Sequence, residues 1–480
     1  MSCVLDVAIV GAGCSGICMG IKLKQAKVNN FKIFEKSGGI SGTWHDNTYP
    51  GAACDVPSHL YCYSFELNPE WSRVFSPQPE IKAYFEKCIE KYGIASHLQL
   101  QTEIVSAVFD GERALWQIHT ASGEEILARF FVSAAGALTI PFLPDIKGID
   151  DFTGSSFHSA RWDHSCELEN KNVAVVGSAA SAVQIVPAIA EKVKKLYMFQ
   201  RTANYILPRF DRAYSEEEKQ KFRKSAWRMR LLRWRIYWFM EGRFKFFQRG
   251  SAENSKETYL ALKNMKKYIT DEELQKKLTP QYAMGCKRVL LSDDFYPALT
   301  RENVAVITPG IQHVTANEIV TEDEKKLPVD VIVFATGFQV DKFMNFDIVG
   351  LDGKKLQDVW QSRPISYFGI TVSGFPNFFM LLGPNTGLGH NSIIFMIESQ
   401  VNYILQCMKK LGKRKYIDVK EQAMKKHDEE LHAHFAGTVW SDCKSWYQNS
   451  DGKIIALWPQ GTVDYWKATR KPKFRNFVFK

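Results

Sequence analysis

The sequence predicts an α/β protein built from two doubly wound domains, and three observations carry that prediction. An apolar strand runs into a glycine turn and a helix near the N-terminus. The same unit recurs with Gly177 standing 166 residues after Gly11, and a third apolar strand within Asp330 to Gly337 closes on another small-residue turn. At 480 residues the chain exceeds the size at which a single core stops growing, so more than one domain is expected.

In the first unit, Leu5 to Val10 leads into Gly11-Ala12-Gly13-Cys14-Ser15-Gly16, and Ile17 to Ala26 reads as the helix. Between a strand and a helix, G-x-G-x-x-G is a dinucleotide cradle. Gly11 makes the tight turn, Gly13 lets a pyrophosphate approach the backbone, Gly16 lets helix and strand pack closely, and the helix N-terminus faces the phosphates. Glu35 ends the next strand, Phe31 to Phe34, and is placed to accept hydrogen bonds from an adenosine ribose.

The second unit is Val173 to Val176 followed by Gly177-Ser178-Ala179-Ala180-Ser181-Ala182. Ala179 replaces the middle glycine, and its methyl keeps a pyrophosphate slightly further from the backbone. Glu35 lies 24 residues after Gly11, and Arg201 lies 24 residues after Gly177. An acid there favours a free 2′-hydroxyl, whereas an arginine followed by Thr202 favours a 2′-phosphate. The first site therefore suits FAD and the second suits NADPH. The turn Ala335-Thr336-Gly337 after the third strand is expected to supply a further cofactor contact, and by itself it is a supporting signal.

Composition narrows the alternatives. A formal charge of +10 is too small a surplus on a chain of this length to signal nucleic-acid binding. The ten cysteines, scattered from Cys3 to Cys443, form no C-x-x-C pair and no Cys/His group of zinc spacing, so no metal is expected and reduced thiols in a cytoplasmic protein are the simplest reading. The first apolar run, Val4 to Val10, begins so near the initiator methionine that a cleaved signal peptide is not expected. No apolar run approaches the ~20 residues of a membrane span. Lys221 to Arg249 holds ten lysines and arginines against one acid, Glu241, with Trp227, Leu231, Trp234 and Trp238 on one helical stripe. The expectation is a helical insert packed over the substrate entrance with a solvated basic face; peripheral contact with an anionic membrane is the alternative.

Phe152-x-Gly154-x-x-x-His158-x-x-x-Trp162-Asp163 matches the pattern F-x-G-x-x-x-H-x-x-x-W-[PD] at every specified position, and Gly42-Thr43-Trp44 with Tyr49-Pro50-Gly51 and Asp55 forms a second signature, departing only at Ser41. With these motifs the chain resembles the flavin-dependent class B monooxygenases, and within them the type I Baeyer-Villiger monooxygenases. Gly285-Cys286-Lys287-Arg288 resembles the segment carrying the family's active-site arginine. Gly383-Pro384-Asn385 and Gly387 to Ser392 resemble its flavin-facing turn and helix start. The resemblance is weakest between about Asp211 and Thr279.

It implies two nucleotide-binding, Rossmann-like domains. A discontinuous FAD domain would take 1–141 and 341–480, the linker and NADPH domain 142–205 and 285–340, and a helical insert 206–284. It also implies that NADPH reduces FAD, that O2 adds to the flavin, and that a C4a-peroxyflavin attacks a small substrate, a ketone giving an ester or lactone. Arg288 would stabilise the anionic peroxide because guanidinium stays charged at any working pH, and Asp55 would orient it. Lys287 would join Arg201 and Thr202 on the 2′-phosphate. Tyr61, Asn385, Ser392 and Trp446, the last beside Tyr447, would contact cofactor, and His158 and Trp162 would couple the two domains. An enzyme oxygenating sulfur or nitrogen in sulfides or amines is the nearest alternative. A flavin disulfide reductase would need a redox pair that Cys54 and Cys62 are too far apart to supply as C-x4-C.

Overall fold

The computed structural model describes residues 4–340, 344–361 and 363–480; Cys3 and the expected domain boundary at 341 lie outside them. Leu5–Val10 runs parallel between Phe31–Phe34 and Glu125–Ser133. Val7, Ala8 and Ile9 are buried, as a strand covered on both faces requires. Leu98–Gln99 extends the sheet beyond Phe31–Phe34. On the other side, Glu125–Ser133 begins antiparallel to Leu115–Thr120, which pairs in turn with Ile104–Asp110. The sheet is completed from much later in the chain: Phe378–Met380 pairs with the end of Glu125–Ser133, and Asp347–Val349 pairs with Ile104–Asp110. The first domain is therefore discontinuous.

The intervening chain makes a second sheet of five parallel strands, ordered Val304–Ile307, Lys195–Phe199, Asn172–Val176, Val331–Phe334 and Ser155–His158. Helix Ala180–Ile189 follows the central strand, and Val183, Val186 and Ile189 bury its apolar side. The helices Glu216–Lys224, Ala226–Gly242, Ala252–Tyr268 and Glu272–Leu278 are inserted between Lys195–Phe199 and Val304–Ile307.

Two expectations are corrected. The stripe of Trp227, Leu231, Trp234 and Trp238 does not pack inward; these side chains are 61%, 46%, 59% and 47% exposed. The helix is apolar on both sides, so periodicity could not select the buried one. Arg233 decides it, because its Nη1 donates to the carbonyls of His59, Leu60 and Cys62, each at 3.0 Å. The cysteines are not all reduced thiols either. Cys286 and Cys443, 157 residues apart, form a disulfide, while the other seven described cysteines are free. The fold brings the two together from positions whose spacing carries no signal.

The first turn depends on bare backbone. A Cβ on Gly16 would stand 1.9 Å from the carbonyl oxygen of Gly11, a contact no side-chain movement can relieve. Gly16→Ala is expected to cost about 1–3 kcal/mol at this contact and to cut retained FAD roughly tenfold. Flavin absorbance per mole of purified protein measures it; wild-type flavin content would show that the turn tolerates the methyl.

Candidate active site

At the first turn, the strand end and the loop beyond it are tied together by Glu35. Its Oε2 accepts from the Ala12 amide at 2.8 Å, and its Oε1 accepts from the amide and hydroxyl of Ser37, both at 3.0 Å. Opposite, the loop Ser41-Gly42 closes on Gly13: the Ser41 amide donates to the Ala12 carbonyl at 2.9 Å, and a Cβ on Gly42 would come within 3.1 Å of the Gly13 Cα. Gly13 and Gly42 thus leave a backbone-lined slot without side chains, and the buried Ser41 hydroxyl has no hydrogen-bond partner among the described residues. A pyrophosphate fits such a slot, since it brings oxygens to bare amides and to that hydroxyl. Thr43 and Trp44 begin the short helix Thr43–Asp46, and the Trp44 indole donates to the Tyr61 hydroxyl at 3.0 Å.

At the second turn, Gly177 has φ +119° and sits so close to Ala335 that a Cβ would lie 2.4 Å from the Ala335 carbonyl oxygen. Ser178 Oγ donates to the Thr202 carbonyl at 3.2 Å, and Asn204 donates to the Ser178 carbonyl at 3.0 Å, so the glycine turn and the Arg201-Thr202 segment are laced together. Ala179 caps the helix containing Ser181 without a side-chain hydrogen bond. Lys287 arrives from the far end of the insert. Burial, and then the charge of nearby Arg201, lower its pKa from the usual 10.5. Two adjacent cations without an acid between them are a poor arrangement unless an anion joins them, and a 2′-phosphate is the anion this turn geometry suits.

Asp55 and Arg288 meet on the wall of one cleft. Asp55 Oδ2 accepts from Arg288 Nη2 at 2.5 Å and from Nε at 3.2 Å. The pair is partly open to solvent, with side-chain exposures of 31% and 38%. The negative charge of Asp55 raises the arginine pKa further, so the guanidinium remains a fixed cation. Behind Arg288 lies Tyr447, buried, with its phenol pushed up to about 12 chiefly by that burial and held back by the arginine charge. Met240, Phe246, Phe247 and His390 complete the cleft wall. The Cys286–Cys443 disulfide fastens the Lys287-Arg288 segment to the C-terminal loop.

Of the groups that fasten the two domains, the sequence motifs include Tyr49 but not Gln184. Tyr49 donates to Gln184 Oε1 at 2.9 Å and lies against Ser181, while Gln184 Nε2 donates to the Ala53 carbonyl at 2.9 Å. Glu241, which meets His390 of the Gly387 to Ser392 segment at 3.4 Å beside the cleft, stood out in the sequence only as the one acid of a basic stretch. No sequence signal pointed to Gln184, which is half-buried.

The remaining predicted residues divide. His158 Nε2 donates to the Gly337 carbonyl at 3.0 Å and its Nδ1 accepts from the Ala160 amide, while burial lowers its pKa. It thus binds backbone where Pro141 and Phe338 bridge the two interdomain connections. Thr336 Oγ1 donates to the Phe142 carbonyl at 2.5 Å in the same place. Trp162 packs edge-on against Phe157 in the second domain. Asn385 gives its amide to the carbonyls of Ile454 and Leu457, so its side chain holds the C-terminal loop. Ser392 is buried and caps helix Ile393–Leu411. Trp446 is 46% exposed and packs against the buried Tyr447.

The pattern of the flavin-binding monooxygenase-like family matches residues 5–359. A Baeyer-Villiger monooxygenase of Pseudomonas aeruginosa is 44% identical over 471 residues, covering 97% of this chain and 89% of that protein. Another, of Streptomyces coelicolor, is 40% identical over 471 residues, covering 97% and 91%. The closed crystal structure of cyclohexanone monooxygenase superposes with a TM-score of 0.91 at 26% identity, covering 100% of both chains. Cyclohexanone monooxygenase from Rhodococcus sp. Phi1 bound to NADP+ superposes at 0.90 with 28% identity over the same extent. The chain belongs to the flavin-binding monooxygenase-like family, among its Baeyer-Villiger monooxygenases.

Proposed function

We propose that this protein consumes NADPH and O2 to convert a ketone into an ester or lactone, releasing NADP+ and water. The observation that supports this reading is the Asp55–Arg288 pair, a permanent cation on the wall of a cleft in a chain with two dinucleotide turns. Solved relatives with FAD and NADP bound share the whole fold. Bound FAD, once reduced, supplies the oxygen-transfer chemistry. The chain's own residues do the rest.

Gly11, Gly13, Gly16, Glu35 and the Gly42-Thr43-Trp44 loop with Tyr61 would hold FAD. The turn from Gly177 to Ser181, with Ala335 opposite, would hold the NADPH pyrophosphate, and Arg201, Thr202 and Lys287 its 2′-phosphate. Arg288 would hold positive charge where the transferred oxygen is negative, and it cannot quench that oxygen by giving up a proton. Asp55 would keep the guanidinium from turning towards solvent. The apolar wall of Met240, Phe246 and Phe247 suits a small lipophilic ketone. We place the enzyme in the cytoplasm: seven of the nine described cysteines are free thiols, and Cys286 and Cys443 alone among them are paired.

Arg201→Ala is expected to raise KM for NADPH about 10- to 100-fold with little change in kcat, the loss of one charge-assisted contact. Lys287 binds phosphate only when protonated, and its pKa is already lowered. KM for NADPH should therefore rise with pH below the usual lysine range. In Arg201→Ala the like charge is gone, the Lys287 pKa rises, and that rise in KM should move to higher pH. Equal use of NADH, or unchanged pH profiles, would contradict the assignment.

Arg288→Ala should bind FAD yet lose ketone oxygenation by a factor of at least ~100, about 3 kcal/mol of lost charge stabilisation. Asp55→Ala removes the orienting partner but leaves the charge, so its loss should be smaller. Sulfide oxygenation needs no anionic oxygen and should fall less in both. Stopped-flow flavin reduction together with product formation on a cyclic ketone and an aryl sulfide measures this; near-normal ketone turnover by Arg288→Ala would remove the proposed catalytic centre.

A further inference from the structure

Helix Ala226–Gly242 is held firmly on one side and left bare on the other. Its inner side is fastened by Arg233 on three carbonyls, by the Tyr237 hydroxyl against Thr462 Oγ1 at 2.9 Å, and by Glu241, whose carboxylate accepts from Asn391, Thr462 and the Val463 amide. Met229 and Met240 are buried beneath it. These bonds fix the helix rotation, so the outer face is presented to solvent by construction.

That face carries Trp227, Leu231, Trp234, Trp238 and Phe239, the last 68% exposed. At about 100° per residue, the first four fall within an arc of about 60°. Arg230 lies about 40° beyond one edge of that strip, and Arg235 and Arg228 lie about 40° and 60° beyond the other. None of these three arginines has an ion-pair partner among the described residues, and the helix's only acid, Glu241, points inward. An exposed aromatic strip between two unpaired cationic margins is rare on a soluble surface, where large apolar patches mark an interaction site.

We infer that this face docks on an anionic phospholipid surface. The tryptophans would enter the boundary between headgroups and acyl chains, where an aromatic body with one polar atom is favoured. The flanking arginines would bury their stems and meet phosphates at headgroup level. Charge decides between occupants. A second copy of this face would bring its own unpaired arginines against these, whereas an anionic lipid layer neutralises them. The helix also leads directly to the cleft: Met240 is in the wall, and Arg243, Phe246 and Phe247 follow it. A bilayer-dissolved ketone would thus meet a short path to Arg288. That corollary rests on the Baeyer-Villiger reading; the docking does not.

The test uses the FAD-loaded full chain. Vesicles of phosphatidylcholine alone and of phosphatidylcholine with phosphatidylserine are mixed with enzyme and floated at low and high salt. Binding is expected to the mixed vesicles, to weaken with salt, and to blue-shift tryptophan fluorescence. The variant Trp227→Ser/Trp234→Ser/Trp238→Ser should bind at least about tenfold more weakly. Its NADPH oxidation with a water-soluble ketone should be unchanged, which shows that it is folded. Arg228→Gln/Arg230→Gln/Arg235→Gln should lose the preference for phosphatidylserine while keeping the tryptophans. Absence of vesicle binding at low salt overturns the proposal, as does equal binding by the tryptophan variant. It is likewise overturned if sedimentation shows a dimer, abolished by the tryptophan variant, in a protein that ignores vesicles.

Discussion

The ion pair between Asp55 and Arg288 reaches from the first domain's loop to the segment that leaves the helical insert, and it constrains both. Roughly a third of each side chain remains exposed, so the pair itself adds at most about 1 kcal/mol to stability. Its value is directional. A lone arginine on a cleft wall would sample many rotamers, whereas two bonds to one carboxylate oxygen and buried Tyr447 behind leave it one approach. Everything that fixes the two backbones relative to each other then becomes part of the site. The disulfide holds Cys286 from one side, and the Gly51 to Ala53 backbone is held by Gln184 from the other.

Hydrogen bonds and ion pairs cross the seam between the two backbones. Tyr49, Ala53 and Gln184 make a small hydrogen-bonded patch, and the two crossing segments pair at Pro141 and Phe338. Asp211, nearly buried, accepts from both Arg73 and Arg209 at 2.7 Å and fastens the start of the insert to the first domain. Such contacts can exchange for water at modest expense, so they position the domains without welding them. His158, with both ring nitrogens committed to backbone, anchors the crossing rather than exchanging protons.

Much of this was legible because the informative residues are local. Leu5–Val10 and Phe31–Phe34 begin and end where the apolar runs and the glycine turn place them, and helix Ile393–Leu411 starts after the capping Ser392. The equal offsets of Glu35 and Arg201 distinguish two dinucleotide turns because strand, turn and helix lengths are nearly invariant in this unit. What could not be read depends on distance or on a choice between faces. Cys286 finds Cys443 only after the C-terminal chain has packed back against the insert. The helix Ala226–Gly242 offers apolar residues on two faces, and partners distant in sequence, the carbonyls bound by Arg233 and the Thr462 region bound by Tyr237 and Glu241, select the inner one. His390 and Glu241 stand beside the cleft through tertiary contacts that no local spacing encodes.

In the proposed reaction one atom of O2 enters the substrate at the cost of one NADPH, beside a fixed guanidinium. The most direct measurement is turnover of a cyclic ketone under 18O2 with NADPH consumption followed in parallel. The expected product is a lactone carrying one 18O atom per molecule, formed in near-equal amount to the NADPH consumed. Unlabelled product, or NADPH consumed only to give hydrogen peroxide with every ketone and sulfide tried, would contradict it.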